Sequence, residues 1–172
     1  MSLYPEPTNI WESIEYSSFG TTIAESTWMF PTIETVHVIA LVTVLGMIAI
    51  VDLRLIGVSS RQLAVTKLSN DTLPWVWGAF GLAAITGGLL FVSKASSYVA
   101  NPYFLWKLVM LTCAGLNMMY FNFFTSRTVE HWDLDPSVPF AAKLAGGLSL
   151  VFWLLVLFFG RAIGFTLGIF GS

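Results

Sequence analysis

Few side chains in this sequence can do chemistry, and two of them lie inside apolar runs. His37 sits in Glu34-Thr-Val-His-Val-Ile-Ala-Leu41, and Lys107 closes Asn101-Pro-Tyr-Phe-Leu-Trp-Lys107. Ionisable groups within hydrocarbon are costly and by default mark function. Neutral imidazole is the usual proximal ligand of haem iron, so His37 is read as the metal ligand of a b-type haem. The competing reading is a buried histidine hydrogen-bonded to a neighbouring helix. Glu34 lies one turn before His37 on the same helix face, placed to orient the ring or to take its proton. Lys107 is placed to bind a porphyrin propionate or another anionic group, or to snorkel toward headgroups. With Glu34 it forms the catalytic pair if the chain is an enzyme. Met110, one turn after Lys107, is the candidate second ligand to the metal, through its sulfur, the alternative being a five-coordinate iron. The only other histidine, His131, falls beyond the far end of that helix, which makes ligation by two histidines of one chain unworkable.

Other polar and soft residues carry weaker signals. Met47, Met118 and Met119 are thioethers that suit copper, which keeps copper handling as an alternative to haem, although methionine is also common packing in apolar cores. Asp52 and Arg54, two positions apart on a helix, point in different directions and read as interface residues rather than as an ion pair. Asn117 and Asn122 are expected to hydrogen-bond between helices. Glu130, His131, Asp133 and Asp135 make either a metal site or a solvated charged loop. The single cysteine, Cys113, excludes an internal disulfide, a zinc site built on paired thiols and a covalently attached haem. No phosphate loop, serine triad or zinc-helix motif is present.

The elements that must position these residues are membrane helices. Over 172 residues the chain is 56% apolar and only 10% charged, too little charge to clothe a water-facing surface. A net charge of -2, with eight scattered basic residues, also excludes a nucleic-acid binder. Four apolar segments, 32–56, 73–92, 102–126 and 139–160, are each near the roughly 20 residues needed to cross hydrocarbon. The expected fold is all-α, a four-helix transmembrane bundle preceded by an N-terminal interfacial amphipathic helix. Asp71 with Thr72 and Pro74, Asn101 with Pro102, and Ser137 with Pro139 read as helix starts. Asn9 with Glu12 reads as a capping box for the N-terminal helix. His37 then lies about five residues inside the first crossing, or roughly 7 to 8 Å deep, and Lys107 a similar depth inside the third.

The chain divides into an N-terminal periplasmic or interfacial segment (1–31), the bundle (32–160) and a C-terminal tail (161–172). No basic residue precedes Arg54, while Arg54, Arg61 and Lys67 mark a cytoplasmic loop, which places both termini in the periplasm of a bacterial inner membrane. Small residues, Gly78 to Gly88 in the second helix and Ala141 to Gly147 in the fourth, permit close helix packing or leave room for a flat cofactor. Gly160, Gly164 and Gly168, spaced by four, suit contact with another chain. The expected partners are therefore the lipid bilayer, a membrane or periplasmic redox partner, and further copies or subunits of a complex.

The stretches Glu34 to Leu41, Asp52-Leu-Arg-Leu-Ile-Gly57 and Asn101 to Asn117 together resemble an uncharacterised bacterial family of four-helix integral membrane proteins over about residues 30–160. More distantly, the placing of His37 and Lys107 is similar to the HemJ-type protoporphyrinogen oxidases, four-helix membrane proteins associated with b-type haem. That resemblance implies that His37 ligates haem and that Lys107 is its functional partner. The bundle also looks like the membrane domain of the copper-resistance D family. Haem-linked oxidation of a quinol or porphyrinogen, copper handling, and a cofactor-free accessory role in a larger complex are the functional expectations.

Overall fold

A computed structural model of the chain describes residues 5–60, 62–125, 129, 132–135 and 138–170, and these are all-helical. Two short helices, α1 (Ile10–Glu15) and α2 (Ser18–Glu25), precede α3 (Met29–Leu55) and α4 (Val65–Ser93). A short α5 (Ala95–Ala100) then leads into α6 (Pro102–Tyr120), which ends in a π-helical turn over Phe121–Thr125, and α7 (Phe140–Phe170) completes the chain. Four of these helices are long and apolar enough to cross a membrane. Their outer faces carry exposed large apolar side chains such as Ile39, Ile85, Leu116 and Leu154. A soluble protein does not tolerate so much exposed apolar surface, whereas lipid accepts it, so the chain is a multi-pass membrane protein.

Packing runs α4 on α3, α3 on α7 and α7 on α6, while α4 and α6 hardly approach each other. Val44, Val76, Ala114, Trp153 and Val156 form the central core. The α3–α7 contact depends on Gly146, where a Cβ would lie 3.0 Å from that of Leu55 and 3.1 Å from the Asp52 carbonyl oxygen. The seam between α4 and α6 stays open, and both large cavities lie along it.

Two expected helix boundaries move. α4 begins at Val65, so Asp71, Thr72 and Pro74 fall inside it. Its first turn is capped from across the fold: Thr66 donates its N–H to the Asp133 carboxylate at 2.9 Å and its hydroxyl to the same group. Burial by itself raises the Asp133 carboxyl, but the bonds from Thr66 and Val65 and the charge of Arg54 together hold it below its ordinary range. α7 does not stop at Gly160, and residues 161–170 continue the helix instead of forming a tail. Asn101, fully buried, caps α6 by accepting from the Tyr103 N–H at 2.9 Å and donates to the Thr166 hydroxyl at 3.0 Å, which ties the end of α7 to the start of α6. Ser137 lies outside the described residues, as do Arg61, Glu130 and His131.

Arg54 is buried at the far end of α3, not at an interface, with 0% exposure. Its Nε donates to the Leu63 carbonyl at 2.8 Å, and an Nη donates to the Asp133 and Asp135 carbonyls at 3.1 and 3.3 Å. One guanidinium thus fastens the α3–α4 connection to the segment before α7, a task that suits its planar fork of donors. Gly57, with φ 81°, takes the left-handed conformation that lets the chain turn out of α3.

At the opposite end α1 and α2 fold over the bundle. Asn9 accepts from the N–H groups of Trp11 and Glu12 at 3.0 and 2.9 Å, and Glu12 accepts from the Thr8 N–H at 2.6 Å. The Glu15 carboxylate accepts from the N–H and hydroxyl of Ser96 in the first turn of α5. Gly20 comes so close to α4 that a Cβ would lie 2.9 Å from the Val92 carbonyl oxygen.

Candidate cofactor site

A cavity of about 600 Å³ opens between α3, α4, α6 and α7 at the end covered by α1, α2 and α5. Glu34, His37, Lys94, Tyr98, Lys107 and Arg161 all line it. The structure therefore brings together three of the residues singled out by the sequence, His37, Glu34 and Lys107. Because α3 starts at Met29, His37 lies eight residues into its helix, roughly 12 Å along it.

The imidazole is held from one side. Its Nδ1 lies 3.0 Å from the Thr86 hydroxyl oxygen, and that hydroxyl lies 2.7 Å from the Leu82 carbonyl, one turn back on α4. A threonine hydroxyl has one hydrogen to give, and the Leu82 carbonyl can only accept. The network thus assigns the proton of the neutral ring to Nδ1, with Thr86 as acceptor. The lone pair then resides on Nε2, the arrangement in which a histidine presents Nε2 to a metal while its other nitrogen is fixed by a hydrogen bond.

Gly87 makes room for this ring. A Cβ there would stand 3.0 Å from Cε1 of His37 and 3.5 Å from Nδ1. Ala83, Ala84, Gly88, Gly160 and Gly164 continue the small-residue lining, so this stretch of α4 both packs on α3 through Ala83 and forms a cavity wall. Gly160 turns toward Lys107, whose Nζ would lie 3.7 Å from a Cβ at that position. Gly160 and Gly164 thus both border this cavity.

The charges of the site are mostly positive. Lys107 acts electrostatically on His37, and no carboxylate pairs with it among the described residues. Lys94 sits over the Phe30 ring at 4.9 Å, and Arg161 lies 5.2 Å from the Phe165 ring. Phe91, Tyr98 and Phe104 cluster with centroids 5.4 to 6.2 Å apart, and Trp11 meets Phe91 edge-on at 5.9 Å. Burial and then the charge of Glu34 push the Tyr98 phenol up to about 12, so it remains a hydroxyl donor at neutral pH.

Met110 does not join this site. It packs against the core around Val44 and Trp153, while its neighbour Leu111 lines the cavity, so the expected histidine–methionine pair is not assembled. The copper candidates are also dispersed: Met47 packs on the core, Met118 lines a different cavity, and Met119 is exposed. Among the described residues no group of three or more His, Cys, Asp or Glu is arranged for a metal ion. Asn117 does bond between helices, donating to the Ala145 carbonyl at 2.9 Å.

Thr86 and Tyr98 are site residues that the sequence does not reveal, whereas Gly87 belongs to the small-residue stretch read as room for a flat cofactor. The only available signal is that Thr86 is a lone hydroxyl within the small-residue stretch of α4, and nothing in the spacing pairs it with His37, 49 positions earlier. The arrangement defines a class: a four-helix membrane bundle with a histidine-bearing cavity of cofactor size. No family model, curated protein or solved structure matches the chain.

Proposed function

We propose that the protein is a b-type haem-binding redox protein of a bacterial inner membrane. The observation that carries this reading is the imidazole of His37, fixed through Nδ1 by Thr86 in the wall of a cavity of about 600 Å³. Three features fit a porphyrin: a volume within the roughly 300–1,000 Å³ of ligand and cofactor pockets, a wall of glycine and alanine able to admit a flat ring, and basic side chains suited to propionates. His37 would hold the iron through Nε2, and Lys107, Lys94 and Arg161 would neutralise the carboxylates.

Haem supplies one-electron transfer when bound, and the protein supplies binding, orientation and electrostatics. Thr86 keeps the ring in one tautomer and one orientation. Lys107 provides a positive charge that stabilises anionic groups in a region of low dielectric, where a charge acts more strongly than in water. Glu34, at the exposed edge of the cavity, is placed to exchange protons with the surroundings, and Tyr98 offers a hydroxyl on the same wall. Phe91, Phe104 and Trp11 restrict water from that end. A quinol or porphyrinogen arriving from lipid is the substrate class consistent with these groups.

Topology belongs to the same proposal. Five of the eight basic residues, Arg54, Arg61, Lys67, Arg127 and Lys143, fall by sequence toward the end opposite α1 and α2, which supports a cytoplasmic position for that end and a periplasmic one for the His37 cavity. In the decisive test, His37→Ala loses stoichiometric haem while the bundle stays inserted and helical by circular dichroism. A native haem spectrum in that variant refutes the ligand assignment.

A further inference from the structure

The second cavity on the α4–α6 seam, about 250 Å³, lies toward the opposite end of the bundle. Its walls are mainly apolar and aromatic, with Trp77, Phe80, Phe121 and Trp153 around it. Asp52 is set in that wall although it is only 5% exposed, and its Oδ2 has no hydrogen-bond partner. The Ser149 hydroxyl bonds to the carboxyl group, which leaves one oxygen unmatched. A buried carboxylate oxygen without a donor is costly, and few native buried polar groups are left so.

Two of the polar groups nearby commit a donor hydrogen elsewhere. Thr72 gives its hydroxyl hydrogen to the Leu68 carbonyl at 2.9 Å, and Asn117 gives an amide hydrogen to the Ala145 carbonyl. Thr72 can then only accept, while Asn117 keeps its carbonyl oxygen as an acceptor and a second amide hydrogen. A ligand that matches this space has an apolar ring to lie among aromatics and a hydroxyl to donate to Asp52. Leu73, Trp77, Gly115 and Asn122 line the cavity and are exposed on the side of the bundle, which gives lateral access from lipid. Phe80 and Leu111 line both cavities and so stand between the two sites along the seam.

We infer that this cavity binds a lipid-soluble aromatic hydroxyl compound, a hydroquinone or phenol, with the ring among Trp77, Phe80 and Trp153 and the hydroxyl donated to the Asp52 carboxyl group. Binding requires no cofactor. Only the use of such a ligand as a reductant rests on the haem reading.

The test is calorimetric titration of tetramethylhydroquinone into the full chain in lipid nanodiscs, with empty nanodiscs as the partitioning control. Saturable binding above that control is expected. Asp52→Asn keeps the side chain's shape and should weaken binding about tenfold or more, the scale of a hydrogen bond to a charged acceptor. Gly115→Leu, at a position with nothing within 4 Å of a Cβ, should block the cavity without disturbing Asp52 and abolish binding. The dimethyl ether of the same compound, which has no donor, should bind wild type no better than the hydroquinone binds Asp52→Asn. Titrations indistinguishable from empty nanodiscs, or an ether that binds as tightly as the hydroquinone, overturn the inference. The His37→Ala chain should still bind, so failure of the haem reading is read separately from failure of this one.

Discussion

The Thr86 hydroxyl accepts from His37 and donates back to its own helix, and that double role fixes the imidazole in the orientation the proposed haem ligation calls for. Replacing Thr86 with Val keeps the volume and removes the acceptor, so Nδ1–H loses its partner and the ring loses its orientation. Haem affinity in a titration of the purified variant should fall by about ten- to a hundredfold, the usual effect of losing such a supporting bond, and Thr86→Ser should recover most of it. An unchanged affinity for Thr86→Val would show that the hydroxyl does not support the ligand. Gly87→Ala acts on the same ring through space. The added methyl would stand 3.0 Å from Cε1, so the imidazole must shift, and the variant should bind haem more weakly with an altered absorption spectrum. Alanine is the better helix former by about 1 kcal/mol, so loss of α4 would not account for that result, and retained circular dichroism would confirm it.

Connections between elements are where distant residues overrule local signals. Asp133 caps α4 from 67 positions away, and the pH dependence of this link has a definite sign. Its folded carboxyl lies below the ordinary value of 3.8, so the link contributes stability above that value and loses it as pH falls through the folded one. Thermal unfolding in detergent should therefore show a drop in midpoint below about pH 4 that is smaller in Asp133→Asn. An identical acid profile for the two chains would remove Asp133 from the cap. The same link explains what could be foreseen. Four crossings were legible because runs of some 20 apolar residues have no other use, and the Asn101–Pro102 start was legible because cap and proline are local. Asp71, Thr72 and Pro74 spell an equally good local start, but a carboxylate from another connection opens α4 six residues earlier. Arg54, read as an interface residue, is buried because three backbone carbonyls from two connections converge on it, which no spacing in the sequence records.

At the scale of the whole molecule, the feature that organises function is the open seam between α4 and α6. It holds two cavities, one basic and histidine-bearing, the other apolar with a buried carboxylate, separated by Phe80 and Leu111. The site was half legible. His37, Glu34 and Lys107 stand out because ionisable residues in apolar runs are rare, and they do converge. Met110 does not, because one turn along α6 from Lys107 carries it toward the core cluster instead of the cavity. The central claim is that His37 holds one b-type haem per chain. It is tested most directly by a reduced-minus-oxidised absorption spectrum, with a pyridine haemochrome assay, on protein purified in detergent from cells well supplied with haem. The expected result is a b-type signal near one haem per chain in wild type and its loss in His37→Ala. Haem-free wild-type protein, or equal haem in both, would contradict it.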